Sequence, residues 1–105
     1  MHWTLLLIAA GLEIAWAVGL KYTDGFTRFW PSAGVGVALV ASVVLLGLAA
    51  REIPIGTAYA VWTGIGAAGT ATLGMVLFAE PASAGRIVCL VLIVAGVVGL
   101  KLFAK

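Results

Sequence analysis

The chain has 105 residues, of which 64% are apolar and only 10% are charged, and its formal net charge is +2. A soluble globular domain carries about 25% charged residues, so this composition excludes an ordinary soluble protein. The six Lys and Arg residues are spread along the chain rather than clustered, which argues against nucleic acid as a partner.

Four long apolar stretches make up most of the sequence, and a helix of about 20 apolar residues can cross a lipid bilayer. The first stretch is a candidate signal peptide, but its amino end has little charge, no convincing cleavage site follows it, and three further apolar stretches do. We therefore predict an all-α integral membrane protein. Residues 1–105 are expected to form a single transmembrane domain, with four helices near residues 3–20, 31–50, 55–78 and 84–103.

The first span, in the stretch MHWTLLLIAAGLEIAWAVGLK, carries the carboxylate of Glu13 near its middle. A charged side chain inside a bilayer is costly and usually functional. Because burial disfavours the charged form of a carboxylate, Glu13 is suited to hold either a proton or a cation, which predicts proton-coupled cation exchange. The alternative is a protonated Glu13 that only bonds a neighbouring helix. The other charges, Glu80 among them, fall at span ends and are expected to be loop charges.

The second span contains one polar side chain, Ser42, between Ala33 and Ala50. A buried hydroxyl needs a hydrogen-bond partner. We expect Ser42 either to donate to a carboxylate or to bond back to the carbonyl of Ala38 on its own helix.

The third span places Tyr59, Trp62 and Thr63 on one helical face. Aromatic rings attract cations and their polar tips can orient a carboxylate, which predicts a contribution to a cation site. Ordinary aromatic packing is the alternative. Gly64 and Gly66 lie near the middle of the span, where paired glycines either act as a hinge or simply permit tight packing.

The fourth span has small residues at Ala95, Gly96 and Gly99. Such positions allow helices to approach closely in membranes, so we predict a dimer interface here. The single cysteine, Cys89, lies in the same span without a cluster of His or Cys residues around it, and we therefore predict no metal site.

Lys and Arg are balanced between the two ends of the predicted helices. Three lie at one end and three at the other: Arg51, Lys101 and Lys105 against Lys21, Arg28 and Arg86. Orientation normally follows an excess of these residues on the cytoplasmic side, and here there is none. We therefore predict insertion in both directions and an antiparallel pair of chains, which supplies the inverted repeat that larger transporters build within one chain. A single orientation set by a subtler feature is the alternative.

Together with the mid-span glutamate, three motifs carry a family resemblance. They are GFTRFWPS before the second span, REIPIGTAYAVWTGIGAAGTA through the third and LIVAGVVGLKL in the fourth. Over essentially the whole chain, the sequence resembles the small multidrug resistance family. Within that family it looks like the guanidinium-exporter subtype rather than the polyaromatic-drug subtype. The features that suggest this are Trp16 three residues after Glu13, the third-span motif, and Lys101 near the end of the fourth span.

The resemblance implies an antiparallel, dual-topology homodimer in the lipid bilayer of the bacterial inner membrane. It implies a proton-coupled antiporter that exports guanidinium and small guanidinyl cations by alternating access, with protons and substrate competing for Glu13. It also implies that four more side chains line this site: Trp16, Ser42, Tyr59 and Trp62. Hydrogen bonds from Ser42, Trp16 and Trp62 are then expected to orient the Glu13 carboxylates.

Other functions stay open. One is a broad-specificity exporter of multidrug or quaternary ammonium cations with the same fold; another is a passive cation pore or a membrane subunit that transports nothing alone. Ala10 stands where relatives of the guanidinium subtype often have Gly, which bears on substrate selectivity. The chain shows no catalytic triad and no phosphate-binding loop, so we predict neither an enzyme nor a bound cofactor.

Overall fold

The structure is a computed structural model that describes residues 2–103; Lys105, which enters the charge balance above, lies outside them. The described residues form four α-helices and one short 3₁₀ helix, and no strand. The helices are α1 His2–Gly19, α2 Phe29–Ala49, α3 Ile55–Leu77 and α4 Ala84–Phe103, and the 3₁₀ helix Leu20–Thr23 extends α1. All four α-helices are long and apolar enough to cross a membrane, which confirms the expected all-α class with four spans.

Two prolines mark the beginnings of helices. Pro54 is the N-cap of α3, and Pro31 lies in the first turn of α2, which begins at Phe29. Proline is tolerated in a first turn because the missing N–H would have no partner inside the helix there. For this reason α2 begins two residues before the predicted position 31 rather than at the proline.

A compact turn joins α1 to α2 and is held by the buried side chain of Thr23. The Thr23 hydroxyl donates to the carbonyl of Leu20 (2.8 Å) and accepts from the backbone N–H of Phe26 (3.2 Å). Asp24, Gly25 and Phe26 all have positive φ, at 49°, 69° and 68°. The left-handed conformation reverses the chain within a short segment, so that α2 returns alongside α1.

The packing centres on α1, which lies against both α2 and α3, while the backbone of α4 approaches only α3. Ala9 and Ala10 of α1 are fully buried in the core with larger side chains such as Leu6, Val61 and Trp62. Small side chains on α1 let the neighbouring helices come close. The result is a tight unit of three helices with a fourth added on one side.

The fourth helix has no buried residue in the single chain. Among the predicted interface residues, Ala95 and Gly96 are exposed and Gly99 is partly buried. These residues are therefore free to contact lipid or another protein molecule, and their role in a dimer stays a prediction.

Candidate functional site

The carboxylate of Glu13 lies directly against Gly66 of α3. A Cβ added at Gly66 would overlap Cδ and Oε1 of Glu13 and would lie 2.9 Å from its Cγ. Glycine at position 66 thus leaves the space that the carboxylate occupies. Glu13 is partly buried, and its Oε1 is buried without a hydrogen-bond partner among residues 2–103.

Two more polar atoms near Glu13 are buried and unpaired within the described part of the chain. One is Nε1 of Trp16, a donor, and the other is Oγ1 of Thr70. Trp16 follows Glu13 at helical spacing i+3, and Thr70 follows Gly66 at i+4, so each lies on the same face as its neighbour. Most buried polar atoms in native proteins are paired. Unpaired donors and acceptors concentrated on facing sides of α1 and α3 therefore indicate a binding region.

Ser42 connects three helices through a single hydroxyl group. The hydroxyl donates to the carbonyl oxygen of Ala9 on α1 (2.6 Å) and accepts from Nε1 of Trp62 on α3 (2.9 Å), and both bonds are buried. Neither expected acceptor, a carboxylate or the Ala38 carbonyl, receives the Ser42 proton in this structure, so both predictions are wrong. A hydroxyl has one proton to donate, and the Ala9 carbonyl receives it.

The expected ring of hydrogen bonds around Glu13 is likewise not formed within the single chain. The indole N–H of Trp62 is used by Ser42 rather than by the carboxylate, and the indole N–H of Trp16 has no partner among the described residues. Of the three expected donors, only Trp16 keeps a free proton on the Glu13 face. A donor set for the carboxylate must therefore come from a rearrangement, a ligand or a second chain.

Tyr59 forms an aromatic pair with Trp62, one helical turn further along α3. The ring centroids are 5.7 Å apart and the planes are tilted by 47°. Tyr59 is 55% exposed whereas Trp62 is 8% exposed. Trp62 is thus fixed in the core, while Tyr59 is accessible to a further molecule.

The two mid-span glycines face different neighbours. Gly64 lies against α4, where an added Cβ would meet Cγ2 of Val97, and Gly66 lies against Glu13. The helix runs without interruption over Ile55–Leu77. Both glycines thus permit tight packing, and their use as a hinge stays a prediction.

Sequence reasoning missed two participants in this region. The Ala9 carbonyl is a backbone atom and carries no residue-type signal. Gly66 was noted as a glycine, but its contact with Glu13 follows from the rotation of α3 relative to α1, which a sequence pattern does not specify.

We expect Ser42→Ala to lower the free energy of unfolding by about 1–2 kcal/mol, because it removes both bonds of the hydroxyl and leaves the buried Trp62 N–H unpaired. The measurement is the unfolding midpoint of the detergent-purified protein. Ser32→Ala is the matched control on the same helix, since Ser32 Oγ has no partner among the described residues. Equal midpoints for both variants would show that the Ser42 bonds contribute nothing to stability.

Comparison with known proteins identifies the family of the chain. A family model described as Small Multidrug Resistance protein matches residues 1–93. The chain belongs to the small multidrug resistance family. This confirms the resemblance, and together with the four spans it makes the chain a multi-pass protein of the bacterial inner membrane.

Several curated relatives in the family are similar over nearly their full length. A protein of Yersinia pseudotuberculosis serotype I (strain IP32953) is 59% identical over 102 residues, which is 97% of this chain and 98% of the relative. A protein of Citrobacter freundii is 56% identical over 102 residues, with 97% of each chain covered. A third, from Salmonella typhimurium strain LT2, is 56% identical over 104 residues and 99% of each chain. Each of these relatives bears the name guanidinium exporter.

Proposed function

We propose that this chain exports guanidinium and small guanidinyl cations across the bacterial inner membrane in exchange for protons. The observation that carries the proposal is the Glu13 carboxylate, which lies mid-span against Gly66 with Oε1 buried and unpaired among the described residues. The relatives named guanidinium exporter, at 56–59% identity, support the choice of substrate. Transport needs no covalent chemistry, so the proposed function is that of a transporter rather than an enzyme.

The chemistry of guanidinium suits a carboxylate in this setting. The ion is planar and carries its N–H donors in a fork that matches two carboxylate oxygens. Its single positive charge offsets the negative charge of Glu13, which is otherwise costly inside a bilayer. Trp16 and Tyr59 add ring faces that attract cations.

Competition between protons and substrate follows from the same electrostatics. A lone carboxylate in the apolar part of the membrane is stabilised either by protonation or by a bound cation, and each excludes the other. Protons arriving from outside displace the cation, and the cation arriving from inside displaces protons. Lower pH is therefore expected to raise the KM for guanidinium, because more Glu13 is protonated.

A second copy of the chain completes the proposed site. In a single chain Glu13 is only partly buried, Tyr59 is 55% exposed and α4 buries no residue. An antiparallel homodimer covers these surfaces and brings a second Glu13. The family resemblance implies that one guanidinium is then exchanged for two protons, so that one net charge moves. The balance of Lys and Arg between the two ends favours this arrangement.

Alternating access requires a part that moves, and we place it at Gly64 and Gly66. Gly64 lies against Val97 of α4, whereas Gly66 lies against Glu13. A bend of α3 at these positions changes the contact with α4 and the space around the carboxylate together. The bend thereby couples the direction of opening to the state of the binding site.

The experiment that tests the function is current recording from liposomes that contain the purified chain. Guanidinium and a bulky quaternary ammonium ion of the same charge are applied in turn, with and without a pH gradient. We expect current with guanidinium and accumulation of guanidinium against its gradient when only a pH difference is imposed. Equal current with the bulky cation would favour the broad cation exporter, and currents that never drive accumulation would favour a passive pore.

A further inference from the structure

A polar cavity lies between α1 and the carboxyl end of α3. Its volume is about 300 Å³, and its lining includes Ala17, Lys21, Thr70, Gly74, Phe78 and Glu80. Glu80 and Lys21 are its two charged lining residues, and most of its wall is formed by small or apolar side chains. The cavity is therefore able to receive a small polar ion at the end of the span.

Glu80 lies in the connection between α3 and α4, as expected, and its carboxylate is held against the end of α3. A Cβ added at Gly74 would overlap Oε1 of Glu80 and would lie 2.9 Å from Cδ and 3.3 Å from Oε2. The backbone N–H of Glu80 donates to the Gly74 carbonyl (3.4 Å). Ala79 has φ of 55°, a left-handed conformation that costs a non-glycine residue about 1–2 kcal/mol and turns the chain back over the end of α3.

The carboxylates of Glu13 and Glu80 both lie against the same face of α3. Gly66 contacts Glu13 and Gly74 contacts Glu80, and the positions differ by eight residues, which is about 12 Å along a helix. Thr70 lies midway between the two glycines, and its Oγ1 is buried without a partner in the described chain. Thr70, which also lines the cavity, thus lies between the two carboxylates along α3.

In the structure, the guanidinium group of Arg86 is the ion-pair partner of Glu80. Its Nη2 lies 3.6 Å from Oε1 of Glu80, and the two side chains are 38% and 35% exposed. Exposed ion pairs of this kind contribute only about 0–1 kcal/mol, so the pair exchanges readily. Lys21, the other cation at the cavity, has its Nζ over the Phe78 ring, 5.6 Å from the centroid. The head group that pairs with Glu80 is thus a guanidinium, the same chemical group as the proposed substrate.

We propose that Glu80 is an outer, transient binding site for the transported guanidinium cation and that the Arg86 side chain fills it between transport events. The cation displaces Arg86 from Glu80, passes Thr70 and binds at Glu13, and it leaves by the reverse route when the cavity faces the other side. The proposal rests on the function proposed above and adds to it a second carboxylate with a built-in competitor.

The test is the KM for guanidinium-evoked current in liposomes. We expect Glu80→Gln to raise the KM about fivefold, since a peripheral charge of opposite sign concentrates the ion near the site. We expect Arg86→Gln to lower the KM about threefold, because it removes the tethered competitor. The double variant is expected to match Glu80→Gln. Opposite effects of two partners in one ion pair are not produced by a purely structural bridge.

Two control variants match the change of charge. Glu52→Gln removes an exposed carboxylate from the connection at the opposite end of the helices, and Arg28→Gln removes an exposed cation from the same end as Arg86. Both are expected to keep the KM within twofold of the wild type. A KM within twofold for Glu80→Gln, or a higher KM for Arg86→Gln, would overturn the proposal while wild-type current upholds the function. A wild type that is silent with guanidinium would overturn both.

Discussion

Glu13→Gln is expected to abolish guanidinium-evoked current in liposomes while leaving the four-helix fold intact. Glutamine keeps the shape of the side chain that lies against Gly66, but it is neutral and has one oxygen instead of two. It therefore neither balances the charge of the cation nor exchanges a proton. We expect the current to fall at least 100-fold, to the level of protein-free liposomes. A 100-fold loss corresponds to about 2.7 kcal/mol of lost binding free energy.

The matched control for this variant is Glu52→Gln, which makes the same chemical change in the exposed connection between α2 and α3. Its current is expected to equal that of the wild type. Size-exclusion profiles in detergent establish that both variants keep the wild-type assembly. Coupled, uphill guanidinium transport by Glu13→Gln at the wild-type rate would end the proposed mechanism.

Gly66→Ala is expected to lower guanidinium transport at least tenfold, although it adds only one methyl group. The new Cβ would occupy the space of Cδ and Oε1 of Glu13. The carboxylate must then rotate away from α3, or the two helices must separate, and a displacement of about 1 Å is enough to cost a well-positioned site about 100-fold. The measurement is the initial rate of guanidinium uptake into liposomes driven by a pH gradient.

Gly56→Ala separates this effect from the general consequence of replacing a helical glycine. It lies on the same helix, and nothing lies within 4 Å of a Cβ added there. Gly56 is the second residue of α3, and alanine is no less favourable than glycine in a helix, so the control is expected to be at least as stable as the wild type and equally active. Equal transport by Gly66→Ala and Gly56→Ala would show that the contact between Gly66 and Glu13 does not position the carboxylate.

The class of fold and the central carboxylate were predictable from the sequence because both depend on local chemistry. A run of about 20 apolar residues dictates a membrane helix in any context, and the four spans observed are those expected. Glu13 could be identified as a candidate functional residue because a carboxylate is costly inside an apolar membrane span. The family could be identified from motifs spread over the chain, and the match to residues 1–93 confirms it.

The partners of these residues were not predictable, because they depend on how the helices are rotated against one another. The Ser42 hydroxyl could reach an acceptor on any neighbouring helix, and the geometry gives it the Ala9 carbonyl. Two glycines separated by one residue point to different sides of α3, so Gly64 meets α4 and Gly66 meets α1. Glu80 lies in the connection between α3 and α4 as expected, but its contact with Gly74 was not predictable, because the left-handed turn at Ala79 carries no signal in a residue that is not glycine.

The two hydrogen bonds of the Ser42 hydroxyl also have a mechanical consequence. By bridging the Ala9 carbonyl and the Trp62 indole, it ties α1 and α2 to the part of α3 that precedes Gly64. Among residues 2–103, no side-chain hydrogen bond ties the part that follows Gly66 to α1 or α2, although Ile14 of α1 packs against Gly69. The backbone of α4 approaches only that of α3. The bend proposed at Gly64 and Gly66 would then divide the chain into an anchored block, held by Ser42, and a lever arm formed by the rest of α3 with α4. Glu13 lies on the anchored block and Gly66 lies at the proposed bend, so the bend would change the contact between the carboxylate and Gly66.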